Sequence, residues 1–429
     1  MRRYFNHRVA PLVNLLKMKT PFLFLLTLLL SLGTCYAQED DGASLQLYGD
    51  IGSYHALRTS SPYNWMTSRN RFRLAGRYHF GDIRFFGALK VNHHGFIKQY
   101  TGIFPHEFYM DYTTTHFGFR AGKQIVIRGV ADGLRLNDIV APMDMTEFLT
   151  QEYDDIRMAV NAVRLFYFSE FVTVEAMLVP TFQGYRLPLE PNNPWSIVPK
   201  AQLPVTVEQG NEPDFLLKNM EYGGHLSFNL PGIDFSLSGL YTWNKLPCFR
   251  GELAPDFRSI ILTPQYDRMT VLGADFSKPL DAFVVRGEFA YSFDKLYSAA
   301  LITKPTVKKD LVQGLLGIDW YGPNSWNISA QGLYEYIPNY QKAEIATEEH
   351  TIYATLRLSK KLINDLLTLS SFGYFDIKNK AVFNRFSGSY QVLDGLLVNV
   401  GYDLFHGDKG MLGTYKNNSE VWVEAVYKF

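Results

Sequence analysis

The sequence predicts an all-β fold, a transmembrane antiparallel up-and-down β-barrel of about eighteen strands. Three observations carry that reading. Apolar and polar residues alternate with period two in segment after segment as far as Phe429. The connections between these segments alternate between short and long. Beyond an N-terminal leader, no apolar run approaches the ~18 residues that a membrane helix needs.

Residues 1–37 read as a secretory leader whose natural start is Met18. Lys19 supplies a short basic region and Phe22 to Leu32 an apolar core. Cys35-Tyr36-Ala37 forms a small-x-small cleavage site before an acidic stretch. The core is too short to span a bilayer as a helix, and Thr34 fits poorly before a lipoprotein cysteine. The remaining chain, 38–429, is expected to be exported as a barrel into the bacterial outer membrane.

Composition agrees. Of the 429 residues 47% are hydrophobic and 15% aromatic, with 27 Tyr and 32 Phe. Mean hydropathy is nevertheless slightly negative, so apolar residues are dispersed rather than blocked. Strands with one greasy and one polar face have this composition. Formal net charge is zero, and removing the leader leaves 37 bases against 42 acids. Such a chain has no global nucleic-acid signature, and no nucleic-acid partner is expected. Cys35 and Cys248 are the two cysteines, which excludes a cysteine-built cluster. There is no HExxH spacing, and His93-His94 beside Gly95 read as loop residues rather than ligands. No cofactor or metal is expected. Nor is an enzyme, since no nucleophile elbow or Ser/His/Asp constellation is visible.

The strand segments fall near 44–55, 69–80, 83–92, 106–114, 116–127, 155–168, 171–180, 220–230, 233–244, 266–277, 281–293, 311–321, 324–336, 349–359, 366–378, 381–392, 395–406 and 418–429. The clearest pair is "HLSFNLPGIDFSLSGLYTWN", two alternating runs joined by Pro231-Gly232, which reads as a hairpin. Rings tend to fall near segment ends, where girdles would place them. Short connections include Gly81-Asp82, 169–170, Pro231-Gly232, 278–281, 322–324 and Leu393-Asp394. Long ones cover about 56–68, 93–105, 128–154, 181–219, 245–265 and 294–310. The loop 181–219 carries six prolines and reads as external and too proline-rich for a strand. The connection at 379–380 is short where a long one is due, which leaves sixteen strands as the alternative count.

A sheet in hydrocarbon must close, because each unpaired backbone group there costs several kcal/mol. The final stretch "VWVEAVYKF" therefore reads as the closing strand, paired with the segment near 44–55. Val421, Val423, Ala425, Tyr427 and Phe429 would face lipid, with Glu424 and Lys428 inside. Tyr427 and Phe429 resemble the terminal signal by which barrel-assembly machinery recognises its clients.

In "RNRFRLAGR" the positions opposite the greasy face are Arg69, Arg71, Arg73 and Arg77. Each would cost about 2–4 kcal/mol toward lipid at midplane, so they belong to the lumen or its rim. Arg84, Lys90 and Arg120 follow on corresponding faces. Either they pair with interior acids as mere structure, or they line a solute path.

Residues 129–154 break the alternation and carry Asp132, Asp138, Asp144 and Glu147. Asp144-x-x-Glu147 after Pro142 resembles a capping box for a short helix, Met145 to about Thr150. Leu134, Leu136, Ile139, Val140 and Phe148 make the segment apolar. It is expected either to fold into the barrel as a constriction, setting carboxylates against the arginines, or to close it as an external lid.

"GKQIVIRGVADGLRLNDIVAPMDMTEF" resembles the signature stretch of a poorly characterised family of porin-like outer-membrane proteins. A G-[KR]-Q strand there precedes a G-x-x-D segment and a D-[IV]-x-x-P-x-D turn. Gly122, Lys123, Gln124, Gly129, Asp132, Asp138, Pro142 and Asp144 carry the match, and Arg128 stands where such relatives often have Trp. The resemblance implies a barrel with a transport role and names no substrate.

The expected function is a channel for passive or weakly selective passage of small polar or anionic solutes across the lipid bilayer. The alternative is a non-conducting barrel that serves surface-polysaccharide binding or assembly. Oligomeric state is not legible in the sequence.

Overall fold

The structure is a computed structural model that describes residues 43–153, 155–198, 203–208, 210, 212–299 and 306–429. The leader 1–37 and Asp154 lie outside the described residues.

Strands follow in chain order: β1 (Ala43–Arg58), β2 (Trp65–Phe80), β3 (Ile83–His94), β4 (Gly102–Thr113), β5 (Phe117–Gln124), β6 (Val160–Phe168), β7 (Val172–Val179), β8 (Val205–Val207), β9 (Glu221–Leu230), β10 (Ile233–Trp243), β11 (Cys248–Leu253), β12 (Ile260–Gln265), β13 (Arg268–Leu280), β14 (Phe283–Ser298), β15 (Thr306–Gly322), β16 (Trp326–Tyr336), β17 (His350–Leu362), β18 (Leu367–Asp376), β19 (Ala381–Leu393), β20 (Leu396–His406) and β21 (Glu420–Lys428). Eighteen of them form one sheet in which each strand pairs antiparallel with the next, and β8, β11 and β12 form a separate small sheet. β21 returns to β1, in register from Asp50↔Lys428 to Arg58↔Glu420, so the large sheet has no free edge.

Alternation decides which face each side chain takes. On β15, Leu316 is 67% exposed and Ile318 45%, while Leu315, Gly317 and Asp319 before, between and beyond them are buried. The exposed positions form the lipid-facing wall. At the short-turn end that wall carries Phe80, Phe117, Tyr167, Trp326, Tyr427 and Phe429, an aromatic girdle.

The count is eighteen, not sixteen. Residues 377–380 form a four-residue turn between β18 and β19 on the long-loop side, and the two strands pair without a break from Leu367↔Tyr390 to Asp376↔Ala381. Several connections expected to be long are mostly strand. β1 and β2 pair as far as Leu57↔Trp65. β14 and β15 pair past a bulge from Lys295↔Lys309 to Ser298↔Thr306, where positive φ at Asp294 absorbs the extra residue. The proline-rich loop also holds a strand after all. Val205–Val207, free of proline, pairs in parallel with β12, which pairs antiparallel with β11. His93 and His94 end β3 rather than lying in a loop, and the ring of His94 accepts the Ile97 N–H at 3.2 Å.

Candidate functional site in the barrel lumen

The inward face of β2 presents Arg69, Arg71 and Arg73, opposite Tyr54, Gly52 and Asp50 of β1 and beside Lys90 and Asn92 of β3. Asp50 takes Arg71 at 3.2 Å and Arg73 at 2.6 Å. Farther along the wall Arg84 and Arg120 share Asp111, each at 2.9 Å. Arg77 lies exposed toward the short-turn end and has no ion pair among the described residues.

The segment 125–153 with 155–159 lies inside the barrel, because it touches inward-facing side chains on opposite walls. Leu134 and Leu136 pack against Met269, Val271, Ala290, Leu315 and Leu333 of β13 to β16. Each such burial is worth roughly 1.5–3 kcal/mol. Glu288 of β14 accepts the N–H groups of Val130 and Ala131 on one oxygen, both at 3.0 Å, and that of Asn137 on the other at 2.7 Å. Gly129 has φ of 78°, and a Cβ there would stand 2.6 Å from that carboxylate, so glycine is required on two counts. Across the lumen Glu147 meets Arg69 at 2.7 Å, and Asp155 meets Arg71 at 2.7 Å, Arg73 at 3.4 Å and Lys90 at 3.8 Å.

The other expected loop acids do not reach the arginine row. Asp132 turns to Arg357 of β17 at 3.3 Å, Asp138 to Arg157 at 2.9 Å, and Asp144 to Arg186 at 3.4 Å. The helix expected from Met145 to Thr150 does not form. Asp144 caps the N–H and hydroxyl of Thr146, Glu147 is committed to Arg69 instead of reaching back, and positive φ at Phe148 ends the turn. Residues of the signature stretch act as anchors of this segment. Buried Gln124 donates to the Ala162 carbonyl at 3.0 Å, and the Pro142 carbonyl accepts the Met158 N–H at 2.8 Å.

The two loop acids on the arginine row differ electrostatically. Burial alone would raise Asp155, but the charges of Arg71, Lys90 and Arg73 hold it well below the usual carboxylate range. Glu147 has essentially one cation beside it, and burial prevails, pushing it up.

Part of the proline-rich loop sits on the inner segment. Trp195 is fully buried between Phe148, Phe405 and Tyr415, and Asn193 donates to the Thr146 carbonyl at 2.8 Å. The inner segment divides the lumen. On the β2 side is a cavity of about 480 Å³ lined by six cations and two carboxylates, Arg69, Arg71, Lys90 and Asp155 among them. Lys123 also lines it. On the β17–β19 side is a second of about 310 Å³, and Gln151 lines both. Asp50, Glu288, Arg357, Arg385 and Trp195 were missed from sequence. Asp50 and Glu288, each the one acid on the inward face of its strand, were the available signal.

No family profile and no curated relative matches the chain. It is similar in structure to OccAB3 of Acinetobacter baumannii, with a TM-score of 0.52 and 10% identity over 90% of this chain and 99% of that one. OccAB4 of the same organism gives 0.52 and 9% over 91% and 99%. OccK11 (OpdR) of Pseudomonas aeruginosa gives 0.50 and 10% over 90% and 96%. Identity this low conveys fold, and the fold, with its apolar outer band and its turn asymmetry, is that of a closed eighteen-strand β-barrel of the bacterial outer membrane.

Proposed function

We propose that the chain is a porin-like channel through which small polar or anionic solutes pass passively or with weak selectivity. One observation carries the reading. Arginines of β2, ion-paired to carboxylates of the inner segment, line a cavity of about 480 Å³ inside the barrel in which six cations outnumber two carboxylates. Fixed cations in excess along a polar path orient and select polar and anionic solutes, and a barrel of this strand number encloses a lumen wide enough for water. Arg69, Arg71, Arg73 and Lys90 are the wall cations of that path, with Arg77, Arg84 and Arg120 nearer the short-turn end. Residues 129–154 narrow it.

Reconstitution in planar bilayers tests this directly. Replacing Arg71 and Arg73 by Ala should shift the reversal potential toward cation preference, and an unchanged potential would remove them from the path. Deleting 133–150 should raise single-channel conductance, and equal conductance from the folded variant would end the constriction role. A folded barrel that conducts nothing would overturn the channel itself and leave the non-conducting, surface-binding reading.

A further inference from the structure

The wall across the inner segment from the arginine row has a different chemistry. Cross-strand register sets Ser359, Ser370 and Ser387 in one row over β17, β18 and β19, and Arg357, Phe372 and Arg385 in the next. All six line the cavity of about 310 Å³, whose opposite side includes Gly133 and Tyr153.

Charge on this side is largely neutralised. Arg357 holds Asp132 at 3.3 Å, and Arg385 holds Asp403 at 2.9 Å. Two cations and one carboxylate, Glu152, line the cavity, against six and two on the arginine side. Hydrogen-bonding capacity remains open. Asn327, Ser359 and Thr368 line the cavity and make no side-chain hydrogen bond among the described residues. Phe372 lies at the centre of its row, with the Arg357 guanidinium 5.0 Å from its centroid. Its edge abuts Gly133, where a Cβ would come within 2.7 Å of the ring.

An aromatic ring among uncommitted hydroxyls, an amide and paired guanidiniums matches a solute that has an apolar ring face and a rim of neutral hydroxyls. The ring stacks, serine, threonine and asparagine both donate and accept, and guanidinium N–H groups donate without demanding an anion. The cavity is at the lower end of the roughly 300–1,000 Å³ of small-ligand sites, which suits one sugar ring. We propose that the β17–β19 wall is a binding passage for neutral polyhydroxylated solutes of monosaccharide size, separate from the arginine-lined side. Transit through it rests on the channel reading; binding to it does not.

The test uses detergent-folded full-length barrel, with folding confirmed by heat-modifiable mobility, and follows binding of D-glucose by saturation-transfer NMR. Glucose should bind. Phe372→Leu, or Ser359→Ala with Ser370→Ala, should weaken it by roughly tenfold or more, equivalent to about 1.4 kcal/mol. Replacing Arg71 and Arg73 by Ala should leave it unchanged. Gluconate, of the same size but anionic, should depend on Arg71 and Arg73 instead. Failure of wild type to bind glucose, or loss of binding on the arginine side only, would overturn the proposal. In bilayers, a conducting barrel whose current ignores glucose would sink the sugar passage and keep the channel. Glucose binding without conductance would sink the channel and keep the site.

Discussion

Glu288 holds the start of the inner segment together with Gln331 and Arg286. Gln331 donates to the Asp132 carbonyl at 2.8 Å and accepts the Asp132 N–H at 3.0 Å, and Arg286 donates to the Val130 carbonyl at 2.6 Å. The two oxygens of Glu288 satisfy three backbone N–H groups that no strand partner could reach. An unsatisfied buried donor costs about 1–3 kcal/mol, so Glu288→Ala should loosen residues 130–137 sharply, and Glu288→Gln, which keeps one acceptor oxygen, should do so less. Limited proteolysis of the folded barrel should give the order alanine, glutamine, wild type from fastest to slowest cleavage, and equal rates would refute the anchor. Gly129→Ala acts on the same contact. Combined with Glu288→Ala it should cost less than the two separate effects added, because the clash disappears with the carboxylate.

Among elements, the inner segment shows where sequence reasoning reached and where it stopped. Its apolar residues marked it as unfit for water, and they do pack against the wall. Its acids could not be assigned partners, because those partners come from remote strands: Arg69 lies 78 residues from Glu147 in sequence. Local spacing suggested a capping box, and a tertiary ion pair took its glutamate. The barrel strands were legible because period two is a local signal that the strands keep except at a few bulges.

Acid should separate the segment's two anchors on the arginine row. Asp155, depressed in the folded state, contributes stability that is fully present above its unfolded value of about 3.9 and lost only as pH falls through the lower folded value. Glu147, raised in the folded state, opposes folding while ionised, and that opposition fades as pH falls toward its unfolded value of about 4.3. At pH 7, Asp155→Asn should therefore cost up to about 3 kcal/mol by leaving Lys90 without a carboxylate and Arg71 and Arg73 with Asp50 alone, and Glu147→Gln clearly less. As pH falls toward about 4.3, wild type should gain on Glu147→Gln. Thermal melting in detergent checks both, and the reverse order would refute the assignment.

For the whole molecule, closure depends on the two outermost strands. Phe429 exchanges both backbone hydrogen bonds with Gly49, at 2.9 and 3.0 Å, and its ring lies 6.3 Å from Phe72. We propose that it also serves recognition by the assembly machinery, so deleting it should lower the amount of heat-modifiable barrel in the membrane several-fold. Normal levels without it would refute that role. The seam has a further consequence, in time rather than in space. Tyr54 and Glu420, which meet across it, are 366 residues apart along the chain, whereas the Asp50 pairs with Arg71 and Arg73 join adjacent strands. Contacts between distant residues carry the larger entropy of loop closure and form late. The arginine row should thus be assembled while the barrel is still an open ribbon, and the stacked rings of Tyr54 and Trp422 should act last, as the latch that ends folding.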